Sequence, residues 1–544
     1  MHNLATVHEA IAEAIPDREC LVFRDRRFTW AQVTERTRRL ASVLRAHGLG
    51  CHKERPALEN SESGQDHVAL YLLNGNEYLE GMLGAFKSRT APFNVNYRYV
   101  DEELLYLFND AKARCVIYHA RFAPTLARIR ESLSDVKLWL QVEDGYGEAL
   151  LPGAIDYEQA LAGAAPEPPR DLSPDDLYIL YTGGTTGMPK GVLWRQGDLF
   201  AGALYSGEFG SVKEVAEIAA SKKPVVLLPS PPFMHGAAQW TSFHVWHTGG
   251  TIAVQSDPTR LDPDDIWSTV EREKVKSLSI VGDAFARPLL DQLRRKEYDI
   301  SSLKLVNSGG AIFTAALKQE LIDLAPHVRI LDGLGSSETG SQAFKLSGKG
   351  SVGSGDFDMN PDSVVLKEDH SGLVQAGSDE RGWLARRGHV PLGYFEDPQK
   401  TAKTFPVVGG VRYSVPGDRA SLDANGTLIL HGRDSVTINS GGEKIFAEEV
   451  EQALKHHPAV YDTVVVPTPS ERWGQQVTAI VLLREGVKVS EEDLKETAKE
   501  HIAAYKLPKA YVYVDAITRA PSGKPDYRWA RATAEEKLGL PSSS

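Results

Sequence analysis

A loop rich in glycine and threonine, placed directly after a short apolar run, is the most constraining feature of this sequence. The run Leu177–Tyr181 predicts a buried strand. The loop that follows consists of Thr182, Gly183, Gly184, Thr185, Thr186 and Gly187, and Lys190 comes shortly after it. Glycines let backbone N–H groups surround an anion, hydroxyls add donors, and a lysine supplies positive charge. We therefore interpret this stretch as a phosphate-binding loop.

The loop differs from the phosphate loop of ordinary nucleotide hydrolases. In that pattern the lysine follows the last glycine directly, whereas Met188 and Pro189 separate Gly187 from Lys190 here. A surface turn that happens to contain glycine and threonine is the alternative interpretation. The density and order of these residues after a strand favour phosphate binding.

Length and charge limit what the protein can be. A chain of 544 residues predicts two to four domains. The net charge is −12, and the sequence contains no long basic run, so a nucleic-acid partner is not expected. An anionic ligand such as ATP must therefore be bound by a few local cations.

The sequence offers no signs of secretion, membrane insertion or a disulfide framework. Residues 1–5 lack a basic segment followed by an apolar one, and no apolar run approaches the length of a membrane span. Cys20, Cys51 and Cys115 have no metal-ligand spacing, so we expect isolated buried thiols. These features favour a cytoplasmic protein without a membrane span.

Strand-like and helix-like segments alternate along most of the chain. Val68–Leu72 reads as a strand before a helix around residues 78–86, and Thr29 with Gln32 is typical of a capping box that begins a helix. We predict an α/β fold with a large N-terminal domain, residues 1–432, of doubly wound α/β layers plus a small β-rich subdomain from about Gly353. A small α+β C-terminal domain would cover residues 433–544.

Eight segments, in the usual order, resemble the adenylate-forming superfamily of acyl- and aryl-CoA synthetases, firefly luciferases and peptide-synthetase adenylation domains. Besides the loop around Lys190, the matching segments are residues 232–236, 307–311, 332–339, 393–405, 413–418, 432–451 and 520–525. The resemblance therefore spans nearly the whole chain. Collinear order carries more weight here than any single match.

The resemblance implies an ATP site assembled from several of these segments. Asp418 would accept hydrogen bonds from the ribose hydroxyls, and Arg433 would contact the ribose. Leu334 stands where the family usually has tyrosine, so aromatic stacking on adenine would be lost, and Ser337 stands where threonine is usual. The implied ATP-binding residues are Thr182, Gly183, Gly184, Thr185, Thr186, Gly187, Lys190, Gly310, Ala311, Asp332, Gly333, Leu334, Gly335, Ser337, Asp418, Arg433 and Lys524.

The same resemblance implies the catalytic and metal-binding residues. Lys524 would bridge the incoming carboxylate and the α-phosphate, with Lys190 and His235 as further catalytic groups. Glu338 and Thr182 would hold Mg²⁺, which commonly takes one or two carboxylates together with phosphate oxygens. In the family the C-terminal domain is mobile and carries the lysine loop, and the hinge position is occupied here by Ser435.

The resemblance also implies which residues bind the acid and coenzyme A. The implied acyl pocket comprises His235, Trp240, Phe285, Gly309, Gly310 and Gly335, and the implied CoA contacts are Gly441 and Gly442. No arginine or lysine adjoins His235 in sequence or occurs within residues 307–313, so a hydrophobic monocarboxylate is expected. Arg287, the one cation nearby, is interpreted as a solvated helix residue.

Residues 191–196 and 434–439 further resemble bacterial fatty-acyl and steroid-side-chain CoA ligases. We therefore predict an ATP-dependent acyl-CoA synthetase that uses ATP, Mg²⁺ and coenzyme A and releases AMP and pyrophosphate. The substrate would be a medium- or long-chain fatty acid or a bulky alicyclic acid. An adenylation enzyme that loads a carrier protein and a catalytically silent nucleotide-binding regulator are the alternatives, and a homodimer is left open.

Overall fold

The computed structural model of the chain describes residues 2–182, 188–204, 210–353, 356–433, 436–440, 443–470, 473–520 and 523–540. Its helices are α1 Leu4–Ala14, α2 Trp30–Ala46, α3 Asn76–Ser88, α4 Asp101–Asp110, α5 Ala123–Ile129, α6 Tyr157–Ala162, α7 Gln196–Gly202, α8 Val212–Ser221, α9 Gly236–Trp246, α10 Pro263–Arg272, α11 Gly282–Arg295, α12 Ala315–Leu324, α13 Pro398–Thr404, α14 Ala447–Lys455, α15 Glu491–Lys499 and α16 Tyr527–Lys537. None of these helices combines the length and the apolar composition required to cross a bilayer.

The strands within the same residues number from β1 to β28. They are β1 Glu19–Phe23, β2 Arg26–Thr29, β3 His67–Tyr71, β4 Ala91–Asn94, β5 Ala113–His119, β6 Leu138–Val142, β7 Ile155–Asp156, β8 Leu177–Thr182, β9 Lys190–Arg195, β10 Val226–Pro229, β11 Thr251–Val254, β12 Ser277–Ile280, β13 Leu305–Gly309, β14 Arg329–Ser336, β15 Gly340–Ser347, β16 Asp356–Met359, β17 Ser363–Leu366, β18 Gly382–Arg386, β19 Gly393–Tyr394, β20 Val407–Val408, β21 Val411–Arg412, β22 Asp418–Leu422, β23 Leu428–Arg433, β24 Thr437–Ser440, β25 Glu443–Phe446, β26 Val460–Ser470, β27 Gly474–Leu483 and β28 Ala510–Tyr513.

Two large sheets build the N-terminal part of the chain. One has the strand order β19-β9-β8-β4-β3-β5-β6-β7, and the other runs β17-β18-β22-β23-β16-β15-β14-β13-β12-β10-β11-β1-β2. Strands β4, β3, β5 and β6 pair in parallel, as do β11, β10, β12, β13 and β14. The parallel strands read as continuous apolar runs because helices cover both faces of such sheets. The predicted α/β fold is confirmed.

The β-rich region after Gly353 continues the second sheet. Strand β16 pairs with β15 on one side and with β23 on the other, so the antiparallel strands extend the parallel ones. A small core of Phe357, Val365, Leu384 and Leu428 packs beneath them. This extension brings Asp418, at the start of β22, to the same edge of the molecule as the ends of the parallel strands.

The chain after Arg433 forms a separate five-stranded sheet. Strands β24, β26 and β28 all pair with β27, and β25 pairs with β24. Its core contains Ile438, Val450, Leu454, Val477 and Ala479. The predicted junction at Ser435 lies outside the described residues, and we retain the boundary at 432/433 as a proposal.

The structure contains the capping box that the sequence predicts at Thr29, a signal that involves only neighbouring residues. Thr29 Oγ1 accepts from the Gln32 amide at 3.2 Å, and the Gln32 side chain accepts from the Thr29 amide at 2.8 Å. This pair satisfies two orphan N–H groups at the start of α2. All three cysteines are free; Cys20 and Cys115 are buried, whereas Cys51 is only half-buried.

Candidate active site

The candidate site lies where the parallel strands of both sheets end. The loops after β10, β12, β13 and β14 carry residues 230–235, 281–283, 310–314 and 337–339, and β4 and β8 of the other sheet end at Asn94 and Thr182. In open α/β sheets ligands bind at this carboxyl edge because the loops converge there. Most of the predicted site segments meet at this edge.

Two buried asparagines join the edges of the two sheets. The Asn94 side-chain amide donates to the carbonyls of Tyr181, at 2.9 Å, and Met234, at 2.7 Å. Asn74 donates to the Pro231 carbonyl at 3.0 Å. The segment carrying His235 is therefore fixed against the strand that leads into the phosphate loop.

The predicted phosphate loop is described only at its two ends. Gly183, Gly184, Thr185, Thr186 and Gly187 lie outside the described residues. Thr182 and Lys190 face each other as register partners of the antiparallel pair β8 and β9. A hairpin therefore brings the two ends of the loop together.

Lys190 is held by a carboxylate that the sequence did not reveal. Its Nζ donates to Asp110 Oδ1 at 3.1 Å, and Tyr181 donates to the other Asp110 oxygen at 2.9 Å. Tyr106 donates to Asp110 at 3.0 Å. Partial burial opposes the charge, but the hydrogen bonds to Asp110 and Tyr106 outweigh it and raise the pKa of Lys190. The ammonium group is therefore charged at neutral pH.

Glu338 lies on the turn between β14 and β15 and is fixed by residues distant in sequence. Tyr394 donates to its Oε1 at 2.9 Å, and Ser414 donates to its backbone carbonyl at 2.6 Å. Trp194 likewise donates to the Ser337 carbonyl at 2.8 Å. Burial and the adjoining Glu338 charge raise the pKa of Tyr394, so this hydroxyl stays protonated as a donor.

Asp418 and Arg433 form an ion pair across neighbouring strands. Arg433 Nε donates to Asp418 Oδ1 at 3.0 Å, and the two residues are register partners of β22 and β23. The charge of Asp418, followed by that of Glu338, raises the pKa of Arg433 despite its burial. Two residues of the predicted ATP site and the predicted metal ligand Glu338 thus influence one another electrostatically.

Lys524 projects into this environment from the C-terminal part of the chain. Crowding by the surrounding protein and the charge of Arg433 lower the pKa of Lys524 to about 8, while Glu338 and Asp418 act in the opposite direction. The residue still has solvent-exposed surface. We call the region that Lys524 shares with Arg433, Glu338 and Asp418 the cleft. The loop itself packs closely, since a Cβ added at Gly523 would lie 2.9 Å from Val281 Cγ1.

His235 adjoins the same cleft in neutral form. Burial, reinforced by the positive charges of Lys524 and Arg98, lowers the pKa of His235 to about 3. Its Nε2 atom is enclosed and has no hydrogen-bond partner among the described residues. A neutral imidazole with a spare ring nitrogen can hydrogen-bond a substrate oxygen.

Glycines around residue 310 lie where neighbouring strands approach closely. Gly310 has φ +83°, a conformation that favours glycine, and a Cβ added at Gly335 would lie 2.2 Å from the Gly340 carbonyl oxygen. Gly309 and Gly333 are register partners of β13 and β14. Ala311 is half-buried beside them. The space beside Gly335 is therefore filled by the neighbouring strand, whereas a Cβ added at Gly310 would meet only Val281 Cγ1, at 3.9 Å.

Two other predicted residues have partners that the sequence did not indicate. Asp332 is buried with Lys318, whose Nζ donates to its Oδ2 at 2.7 Å. Leu334 packs partly against the small core below the antiparallel strands. Burial raises the pKa of Asp332, although the Lys318 charge opposes the rise. Asp332 is thus tied to α12 through one oxygen.

The predicted acyl-pocket residues Trp240 and Phe285 differ in how deeply they are buried. Trp240 is half-buried on α9 and meets the Trp194 ring edge-on at 6.2 Å. Phe285 is 6% exposed within the core around Leu289 and Val306. Gly441 and Gly442, the predicted CoA contacts, lie outside the described residues.

Two arginines differ from what the sequence suggested. Arg98 contributes positive charge at His235, although it is far away in sequence. Arg287 is 6% exposed and its guanidinium stacks on the Tyr461 ring at 5.0 Å, so its interpretation as a solvated helix residue was wrong. The residue that covers it belongs to the C-terminal part, which the helix sequence could not show.

The sequence profile of the AMP-binding enzyme family matches residues 8–394, and that of the AMP-binding enzyme C-terminal domain matches residues 449–524. The chain belongs to the AMP-binding enzyme family. It is 52% identical to the medium-chain acyl-CoA ligase Mig of Mycobacterium avium over 98% of both chains. It is 41% identical to the 3-oxocholest-4-en-26-oate–CoA ligase of Rhodococcus rhodochrous, covering 97% of this chain and 95% of the relative.

Solved structures agree on the fold. The anthranilate CoA ligase AuaEII in complex with anthranoyl-AMP superposes with a TM-score of 0.83 at 21% identity, covering 99% of this chain and 98% of the other. A fatty acyl CoA synthetase of Mycobacterium tuberculosis gives 0.71 at 24% identity, with 99% of each chain covered. The prediction of an ATP-dependent acyl-CoA synthetase with this fold is confirmed by the family and the relatives.

Proposed function

We propose that this acyl-CoA synthetase activates hydrophobic monocarboxylic acids, from medium-chain fatty acids to bulky alicyclic acids, through residues gathered at one cleft. The observation that carries the proposal is the convergence of Lys524, Arg433, Glu338 and Asp418, whose charges act on one another. The neutral His235 lies beside them, since the charge of Lys524 lowers its pKa. These side chains come from both the N-terminal sheets and the C-terminal module. A lone lysine loop on a solvated surface would not share an electrostatic environment with them.

In the first half-reaction, the acid's carboxylate oxygen attacks the α-phosphorus of ATP, and pyrophosphate leaves. Two anions must meet, so cations fixed beforehand lower the barrier. Lys524 bridges the carboxylate and the α-phosphate, and Lys190 draws the distal phosphates toward the loop. Asp418 accepts from the ribose hydroxyls, and Arg433 holds Asp418 in place. The neutral imidazole of His235 hydrogen-bonds the acid.

Glu338 can supply one carboxylate oxygen to a magnesium ion. Tyr394 occupies one of its carboxylate oxygens, which leaves the other for a ligand. No group of three or more His, Cys, Asp or Glu side chains stands ready for a metal within the described ranges. Mg²⁺ commonly needs only one or two carboxylates beside phosphate oxygens, so Glu338 with Thr182 would hold it. When bound, the ion neutralises phosphate charge.

In the second half-reaction, the thiol of coenzyme A attacks the acyl carbonyl, and AMP leaves. Lys524 must then withdraw, because the thiol needs access to the carbonyl. Rotation of the C-terminal domain about Ser435 would remove it and bring Gly441 and Gly442 to the pantetheine. Backbone without side chains permits such close approach.

The substrate class rests on the apolar character of the segments around His235 and on the two named relatives. Within the described residues, Arg98 is a cation near His235 that the sequence did not indicate, and it lies on an exposed stretch after β4. A single exposed cation at the cleft edge suits the carboxylate or the phosphates of the cosubstrates better than a second charge on the acid. The expected acid therefore has one carboxylate and an apolar body.

A panel of acids tests this substrate class. Purified enzyme, ATP, Mg²⁺ and coenzyme A are incubated with straight-chain acids of increasing length, a steroid side-chain acid, hydroxybenzoate and amino acids. Each buried methylene contributes about 0.8 kcal/mol, so kcat/KM should rise severalfold per carbon until the pocket is full. Thioester formation is followed by mass spectrometry. A maximum at acetate or at a charged amino acid would refute the proposal.

The same assay separates the alternatives. A silent regulator would show no exchange of pyrophosphate with ATP in the presence of any acid. An enzyme that loads a carrier protein would form adenylate but no CoA thioester. A homodimer and a cytoplasmic location remain proposals, which light scattering and cell fractionation would test.

A further inference from the structure

A chain of four charged side chains crosses from the N-terminal part to the lysine loop. Lys455 Nζ lies 3.2 Å from Asp283 Oδ2, and 3.3 Å from Asp462 Oδ1. Asp462 in turn receives two hydrogen bonds from Arg519, at 2.7 and 2.8 Å. We call Asp283, Lys455, Asp462 and Arg519 the domain latch. Only Asp283 belongs to the N-terminal part.

The N-terminal end of the latch is anchored to the loop that borders the cleft. Asp283 Oδ1 accepts from the Thr314 amide at 2.9 Å and from the Thr314 hydroxyl at 3.2 Å, which leaves Oδ2 for Lys455. The preceding residue, Gly282, donates its amide to Ser308 Oγ at 3.1 Å. The carboxylate is therefore fixed relative to residues 308–314 and cannot follow a moving partner.

The C-terminal end of the latch shapes the lysine loop directly. Arg519 Nη1 donates to the Gly523 carbonyl at 2.9 Å, while its other nitrogens bind Asp462. The Ala520 amide donates to the Lys524 carbonyl at 2.9 Å, which closes the turn. Gly523 then packs on Val281, two residues before Asp283. The two ends of the latch thus meet again at the loop.

The electrostatics favour a latch that can open and close. Lys455 and Asp283 have side chains only 7% and 6% exposed. Burial opposes the charge on Lys455, but Asp462 and Asp283 outweigh it and raise its pKa. If the domain rotates, Lys455 keeps Asp462 and Asp283 keeps Thr314. The charge of Arg287, on the same helix as Asp283, also stays near the carboxylate. An uncompensated buried charge, which is the costly outcome when an ion pair breaks, is therefore avoided.

We propose that the domain latch positions Lys524 over the cleft for adenylation and is released for thioester formation. Its four residues are positioning residues, since the structure gives them contacts with the lysine loop and the loop at residues 308–314. The inference rests on the proposed two-step function. It adds that one ion pair, Asp283 with Lys455, biases the domain orientation toward the first step.

The decisive experiment measures the two half-reactions separately in Asp283→Asn. Asparagine keeps the shape and can still accept from Thr314, but it loses the charge that attracts Lys455. Acid-dependent exchange of pyrophosphate with ATP should fall about tenfold, whereas CoA thioester formation from supplied acyl-adenylate should be unchanged or faster. Asp323→Asn, on the exposed face of α12, is the matched control and should leave both rates unchanged.

A merely structural role predicts a different pattern. Equal losses in both half-reactions, or no loss in either, would overturn the latch. If the wild-type enzyme itself performs neither half-reaction, the proposed function fails and not the latch alone.

A double-mutant cycle tests whether Asp283 and Lys455 act as a pair. If the pair acts together, Asp283→Asn combined with Lys455→Met should slow pyrophosphate exchange no more than the more severe single change. Multiplicative losses would contradict the proposed coupling. Thermal unfolding of every variant identifies any that is folded too poorly to compare, and the test then rests on Asp283→Asn, the mildest of the changes.

Discussion

Replacing Lys524 by alanine should abolish most adenylation while sparing the second step. Its ammonium shares the cleft with Arg433, but Arg433 is already bonded to Asp418 at 3.0 Å and is not free to replace it. Removing one preorganised charge of this kind typically lowers the rate by about two to three orders of magnitude, or roughly 2.7–4 kcal/mol. Conversion of supplied acyl-adenylate and CoA should change far less.

The same residue should set the alkaline limit of adenylation. The pKa of Lys524 is lowered to about 8, so the free enzyme loses the required proton as the pH rises through that value. The kcat/KM for adenylation should therefore be full below about pH 7 and fall about tenfold per unit well above pH 8. Bound ATP adds negative charge near Lys524 and should raise the pKa of its ammonium group. The fall of kcat at alkaline pH should therefore occur at a higher pH than the fall of kcat/KM.

The variant Lys524→Arg tests whether Lys524 causes this alkaline fall in rate. Arginine stays charged throughout the pH range, so the fall should disappear in the variant. Burial also raises the pKa of Glu448 to about 8, and that group is retained in the variant. The measurement is pyrophosphate exchange from pH 6 to 10 in wild type, Lys524→Arg, and Lys509→Ala as an exposed control. Persistence of the alkaline fall in Lys524→Arg, or equal damage to both half-reactions in Lys524→Ala, would refute the assignment.

Three further changes probe the phosphate, metal and packing arguments. Lys190→Met should raise the KM for ATP about tenfold or more, from a charged hydrogen bond of about 1.5–3 kcal/mol, with little effect on the KM for the acid; a rise confined to the acid would contradict this. Tyr394→Phe removes a hydrogen bond to Glu338 of about 1 kcal/mol and should raise the Mg²⁺ concentration needed for half-maximal exchange severalfold, whereas an unchanged requirement would separate Glu338 from the metal. Gly84→Ala would place a Cβ 2.5 Å from buried Leu40 and should lower the melting temperature by a few degrees, since overpacking costs about 1–3 kcal/mol; Gly372→Ala, with no atom within 4 Å, should not.

Much of the fold was readable from the sequence because its signals are local. The capping box at Thr29 involves only residues three apart, and strands such as Leu177–Tyr181 are marked by their own apolar runs. The site segments were found through their order along the chain. What could not be read was the pairing of distant residues, such as Asp110 with Lys190 or Tyr394 with Glu338.

The reason is that the sequence around a carboxylate carries no signal of a partner that is distant in the chain. Such a residue cannot be distinguished from a solvent-exposed acid. Asp110 ends a helix whose first turn is also acidic, and nothing in that helix indicates a contact eighty residues later. Arg287 failed for the same reason, since Tyr461 covers it from another part of the chain. Sequence order identifies which segments meet at an edge, but only the sheet order fixes which side chains touch.

The division of the site between two parts of the chain has a chemical consequence. Glu338, Asp418 and His235 sit on the N-terminal sheets, whereas Lys524 arrives on a loop that packs on Val281. The cation for adenylation is therefore present only in the domain orientation seen here. A water molecule that reached a formed acyl-adenylate would hydrolyse it, so withdrawal of Lys524 is useful only if the thiol enters by the same motion. We therefore expect uncoupled adenylate hydrolysis to rise in variants that weaken domain closure. Measurement of AMP released per thioester formed in Asp283→Asn against Asp323→Asn would test this; an unchanged ratio would show that closure does not protect the intermediate.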